Sequence, residues 1–175
     1  MQINGLSLIG SSTGSQGDSS FKAIDPSTAL NIEPIFYAAT ADETNRAVDI
    51  SQRAFLSFSK KSGAERATFL RAIADQIEAL GDTLTERAMV ESGLPEGRIK
   101  GETGRTTGQL RLFALVAEEG SWVEARIDTA LSDRQPIPKP DIRSMKRPLG
   151  PVAVFAASNF PLAFSVAGGD TASAL

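Results

Sequence analysis

Any chemistry in this sequence must proceed without the usual reactive side chains. Its 175 residues contain no Cys and no His. That removes thiol nucleophiles, imidazole bases, His-based triads and Cys/His zinc sites. Carboxylates, Lys, Arg, Ser/Thr hydroxyls, amides or a bound cofactor remain. One amide stands out by position. Asn159 follows the continuous apolar run from Pro151 to Ala157 (Pro-Val-Ala-Val-Phe-Ala-Ala) and Ser158, and it precedes Phe160 and Pro161. A run without alternation predicts a strand buried on both faces, as in a parallel sheet. Pro161 suits the first turn of a helix, where its missing N–H matters least. Leu162, Ala163, Phe164, Val166 and Ala167 predict that helix as largely apolar and buried. Asn159 then lies at the C-terminal end of a strand in a βα unit, the edge at which open α/β sheets bind ligands. The alternative for it is a loop-to-helix cap.

Two glycine-rich patterns also invite a chemical reading. The run from Gly10 to Ser15 lacks the Gly-Lys-Ser/Thr ending of a phosphate cradle, so it reads as a loop. Gly97, Gly101, Gly104 and Gly108 lie within a predicted helix, the last three on one face and Gly97 one turn earlier. Each interior Gly costs about 1 kcal/mol relative to Ala. A stripe without side chains serves either close backbone packing or a ligand. It is not a dinucleotide fingerprint, because no strand precedes it.

The elements that position these residues fall into three stretches. Residues 1–39 read as short strands and turns, with Phe21 to Ile24 a strand stopped by the turn sequence Asp25-Pro26-Ser27-Thr28. Residues 40–119 read as helices. Thr40 with Glu43, and Ser62 with Glu65, are capping-box pairs. Behind them Ala47, Ile50, Ala54, Phe55 and Phe58, then Leu70, Ile73, Ala74, Ile77 and Leu80, recur at helical spacing. A third helix is expected from about Thr83, with Glu86 completing its cap, and it stops at Gly93 before Pro95. The fourth starts near Pro95 and carries Ile99, Leu110, Phe113, Ala114 and Ala117.

Residues 121–147 alternate with period two from Trp122 to Asp128, and Ile142 to Arg147 is a second extended stretch. Pro136, Pro138 and Pro140 between them forbid helix. Two half-exposed strands leave an open edge, which predicts a partner subunit pairing there.

Composition sets outer bounds. Apolar residues make up 41% and charged residues 22%, ordinary globular usage, and the net charge is −3. An acidic balance argues against a nucleic-acid partner. The first residues show no basic n-region and no long apolar core, and no stretch is long and apolar enough to span a bilayer, so the expectation is a cytoplasmic protein with no membrane partner. The chain stops at Leu175 with a single parallel strand predicted and no parallel neighbour for it. Such a strand cannot satisfy its backbone groups alone. The sequence therefore reads as cut off within an α/β domain.

The segment Arg147-Pro148-Leu149-Gly150-Pro151-Val152, followed by Asn159-Phe160-Pro161-Leu162, resembles the aldehyde dehydrogenase superfamily. So do the Asp25 to Thr28 turn, Ala39 to Asp42 with Arg46 to Val48, Glu65 to Ala67, Leu70 to Ala74, and Glu91 to Pro95. The residues from Ala156 to Leu162 and from Gly168 to Ala172 look most like ketoglutaric semialdehyde (2,5-dioxovalerate) dehydrogenases. Most of the superfamily has Pro-Trp before the Asn, where this chain has Ala157-Ser158.

The resemblance implies an α/β fold, the truncated N-terminal part of an aldehyde dehydrogenase. Residues 1–120 would be the strands and helical layer of the nucleotide-binding domain. Residues 121–147 would be an oligomerisation arm joining a homo-oligomer. Residues 148–175 would be the first strand and helix of an incomplete Rossmann-like sheet. It implies oxidation of an aldehyde to an acid, with NAD or NADP accepting hydride and a Cys thiolate as nucleophile. Asn159 would donate its amide to the oxyanion, and Phe155, Ala156, Ala157 and Ser158 would border the cofactor. Phe160 and Phe164 would wall the substrate tunnel, with core packing as the alternative. Counting back from Leu110 to Ala114 places Arg105 where relatives carry an apolar tunnel residue, suited to a substrate carboxylate. The alternative is a solvated or salt-bridged helix Arg. With no Cys present, the expectation is that these residues alone turn over no aldehyde. An assembly module that pairs with intact subunits, and a freestanding helical domain, are the competing readings.

Overall fold

Two capping boxes start the helical layer. The Thr40 side chain accepts from the Glu43 amide while the Glu43 carboxylate accepts from the Thr40 amide, opening α1 (Ala41–Phe58). Ser62 and Glu65 do the same for α2 (Gly63–Ala79). These reciprocal bonds satisfy N–H groups that the first turn leaves without partners. Helix α3 (Gly81–Ser92) ends at Gly93 in the left-handed conformation, φ 68°. Pro95 then caps α4 (Glu96–Glu119). The start of α3 differs from the Thr83–Glu86 expectation. Leu80 stays right-handed helical and α3 begins at once at Gly81, with no side-chain cap.

The computed structural model describes residues 3–175. Ahead of the helices lie two antiparallel pairs, β1 (Leu8–Ile9) with β2 (Ser12–Thr13) and β3 (Ser20–Asp25) with β4 (Leu30–Tyr37). The Asp25 turn forms as expected, its carboxylate accepting from the Ser27 amide and hydroxyl. After α4 a 3₁₀ turn (Ser121–Val123) leads into β5 (Arg126–Asp128), which pairs antiparallel with β6 (Ile142–Ser144). This arm is shorter than the alternation from Trp122 suggests, and both its strands are exposed throughout.

The core sits between α2 and α4. Ala67, Leu70 and Ala74 pack with Leu110 and Ala114, and Ala172 of α5 (Gly169–Ala174) closes the end. Gly63 permits the closest approach of the two helices: a Cβ there would lie 2.0 Å from the Ala117 carbonyl oxygen. Outside the core, Arg111 reaches from α4 to Asp75 and Glu78 on α2, and Arg71 meets Glu118 with both arms.

Two expectations for the last stretch are corrected. Residues 151–157 form no strand and join no ladder, and Val152 and Phe155 are exposed. A central strand takes its hydrogen bonds from neighbouring strands, and among the described residues no strand lies beside 151–157. Residues 161–167 are a chain of turns rather than a helix, and the helix begins only at Gly169. The turns close on themselves there: the Gly169 amide donates to the Ala163 carbonyl, and a Cβ at Gly168 would lie 2.5 Å from that same oxygen. The glycine stripe of α4 meets nothing within 4 Å, so within these residues it packs no backbone.

Candidate functional site

Helix α4 places Arg98, Glu102 and Arg105 at i, i+4 and i+7, along one face. The turns at 158–168 fold onto that face. The Phe160 and Phe164 rings meet edge to face at 5.4 Å between centroids. The Arg105 guanidinium lies 5.5 Å from the Phe160 centroid and 5.1 Å from that of Phe164. Arg98 stacks on Phe160 at 4.7 Å. Contacts of this kind contribute about 0.5–2 kcal/mol each, more as they are desolvated.

Three residues singled out in sequence, Arg105, Phe160 and Phe164, are therefore in mutual contact. Arg105 forms no salt bridge among the described residues, so its fork of donors stays open to an anion. Asn159 precedes Phe160 in the same turn. Its side chain is exposed, and no amide of the following turns is capped by it.

Sequence reasoning missed Glu102. It is 3% exposed. One of its carboxylate oxygens accepts from the Leu162 and Ala163 amides at 3.2 and 3.3 Å, and the other accepts from Arg98 Nε at 2.8 Å. Burial alone would push its pKa up. The Leu162 amide, Arg98 and the Ala163 amide outweigh burial and hold the carboxyl below its ordinary range.

Phe155, Ala156, Ala157 and Ser158 lie just ahead of this cluster. Phe155 is 86% exposed, with Ala156 and Ser158 also open. The backbone from Val152 to Ala156 makes no hydrogen bond among the described residues. An apolar groove lies elsewhere, about 830 Å³ between α1, α2 and residues 148–154. Phe55, Phe58, Phe69, Val152 and Val154 line it. It marks the open side of the helical layer, not the Asn159 cluster. Among the described residues no group of His, Cys, Asp and Glu could hold a metal, and no helix is long and apolar enough to cross a membrane.

The aldehyde dehydrogenase family profile matches residues 13–175. The chain belongs to the aldehyde dehydrogenase family. It is 51% identical over its whole length to alpha-ketoglutaric semialdehyde dehydrogenase 2 of Azospirillum brasilense, and covers 34% of that protein. It is 52% identical over 87% of its length to alpha-ketoglutaric semialdehyde dehydrogenase of Acinetobacter baylyi, and covers 30% of it. The fold resembles a betaine aldehyde dehydrogenase from Staphylococcus aureus solved with NAD+, with a TM-score of 0.75 and 23% identity over 90% of this chain and 31% of that one. The chain thus spans about a third of the length of the curated relatives it matches.

Proposed function

We propose that these residues form the oxyanion-donor and substrate-tail portion of an NAD(P)-dependent aldehyde dehydrogenase. The substrate is 2,5-dioxopentanoate, alpha-ketoglutaric semialdehyde, oxidised to the dicarboxylic acid. The observation that carries this reading is Arg105, stacked on Phe160 and Phe164 with no carboxylate partner among the described residues, Phe160 being the residue that directly follows Asn159. Similarity to the two ketoglutaric semialdehyde dehydrogenases supports the same substrate class.

The aldehyde carbon would face a thiolate supplied from outside these 175 residues, which hold no Cys. The exposed Asn159 amide would donate to the oxygen as it becomes negative. A donor aimed at developing charge contributes about 3–4 kcal/mol to the transition state. Phe160 and Phe164 would exclude water from the apolar middle of the substrate. Arg105 would take the far carboxylate with two parallel N–H donors. Phe155 to Ser158 would border the cofactor's nicotinamide end, and the chemistry the cofactor supplies there is hydride acceptance. The exposed strands β5 and β6, with Ile127 and Ile142 open to solvent, support subunit pairing through 122–147.

The test uses a full-length enzyme bearing these 175 residues. Asn159→Ala is expected to lower kcat about 100- to 1,000-fold with little change in KM. Arg105→Met is expected to raise KM for 2,5-dioxopentanoate about 10- to 100-fold, the usual range for a lost charged hydrogen bond, and to leave propanal unaffected. Acidic-aldehyde kinetics untouched by Arg105→Met would sink the substrate reading. The exposed arm favours one other reading, a non-catalytic module that assembles with intact subunits. Aldehyde turnover by the isolated 175 residues would contradict both.

A further inference from the structure

We propose that Glu102 is a positioning residue that sets where the Asn159 amide points. The proposal rests on the reading of Asn159 as oxyanion donor and names what holds that donor in place.

Among the described residues, 151–157 join no ladder, and the turns that follow bond mainly among themselves. The Ala157 amide donates to Phe164, Phe160 to Ala157, and Gly169 to Ala163. Those bonds shape the segment without attaching it to anything. Among the described residues, the hydrogen bonds that join 148–175 to the rest of the chain are the two that Glu102 accepts from the Leu162 and Ala163 amides. They span 60 and 61 residues of sequence. Pro161, with its fixed φ, stands between the clamped amides and Phe160, so a shift at Leu162 passes to Asn159 with little slack.

The carboxylate suits this task for three reasons. It is buried, so water does not compete for the bonds. Its other oxygen is held by Arg98, which itself stacks on Phe160. One charge therefore fixes both the backbone after Pro161 and the ring before it. Finally, removing the carboxylate leaves the buried Ala163 amide and the half-buried Leu162 amide without their acceptor and frees Arg98, so the turn has no equivalent resting place.

The experiment is a double-mutant cycle in a full-length enzyme bearing these residues, reading kcat and KM for 2,5-dioxopentanoate. Glu102→Ala alone is expected to lower kcat about 10- to 100-fold, the scale of a misplacement near 1 Å, with KM changed less. In an Asn159→Ala background the same change is expected to cost less than about threefold, because the donor it positions is already gone. Glu102→Gln keeps one acceptor oxygen and is expected to recover part of kcat. It also completes the cycle if the alanine variant does not fold. Amide exchange supplies a readout free of turnover: Leu162 and Ala163 are expected to be protected in the parent and to exchange faster in both variants. Additive losses in the cycle would overturn the role of Glu102 while leaving Asn159 as donor. Unprotected Leu162 and Ala163 amides in the parent would overturn it as well. An Asn159→Ala enzyme with unchanged kcat would remove the donor itself, and this proposal with it.

Discussion

The α2–α4 pair and the segment at 148–168 are held in opposite ways. Between the helices, apolar side chains vanish from solvent: Ala67, Leu70, Ala74, Leu110 and Ala114 lie in one buried cluster, with ion pairs along its rim. The 148–168 segment carries Val152, Phe155 and Val166 in the open and is tied to α4 by one buried carboxylate and by Arg98 and Arg105 stacked on its two rings. Local sequence is enough to make the first region. The second needs a surface to lie against. Its own residues specify the turns that present Asn159 but not the sheet implied by its apolar run.

The comparison breaks most readily at Leu110, which is 1% exposed at the centre of the helix pair. Leu110→Ala removes buried methyl groups from a site with little freedom to collapse. The expected cost is about 2–5 kcal/mol of unfolding free energy, read by urea denaturation. A loss below about 1 kcal/mol would mean that the helix pair is not the stable part of the fold.

Glycines sharpen the same contrast at smaller magnitude. In sequence, Gly97, Gly101, Gly104 and Gly108 form the conspicuous set. In space they meet nothing, whereas Gly63 lies against Ala117 and Gly168 against Ala163. Gly63→Ala is expected to destabilise by about 1–3 kcal/mol, because backbone must move to admit the methyl. Gly104→Ala is expected to stabilise the isolated chain by about 0.5–1 kcal/mol through helix propensity alone. Matching losses from both substitutions would show that the stripe is packed against something in solution.

How far the sequence could be read follows from where each element finds its hydrogen bonds. The Thr40/Glu43 and Ser62/Glu65 boxes and the Gly93 stop are complete within a few residues, and each appears where the sequence places it. Thr83 with Glu86 has the same spelling yet caps nothing, because the break falls at Leu80 and Gly81 (φ 52°) and α3 is already under way at Thr83. The run from Pro151 to Ala157 depends on other strands, and no local pattern could show whether they are present. Within the site, Phe160 and Phe164 were visible as aromatics and Arg105 through its offset from Leu110, and the structure brings all three together. Glu102 was not visible, since a carboxylate in the middle of a helix usually faces water. Its partners are backbone amides, which leave no mark in the identities of Leu162 and Ala163.

The smallest expected effect is the most telling about the second region. Phe155 has the size of a core residue and the exposure of a loop residue. If residues 151–157 lie open in solution as they do here, Phe155→Ser removes no buried area and should change unfolding free energy by no more than about 0.5 kcal/mol. If the isolated chain instead covers this segment, by self-association through the exposed apolar run or through the groove beside Val152 and Val154, the substitution should behave like a core truncation. It would then cost about 3 kcal/mol or more, with a dependence on protein concentration. Measuring Phe155→Ser across a tenfold range of concentration distinguishes the two. A small, concentration-independent change would leave Glu102 as the polar tie between the Asn159 turn and the helical core. A large one would mean that a second surface shares that task, and the kcat lost on removing Glu102 should then shrink accordingly.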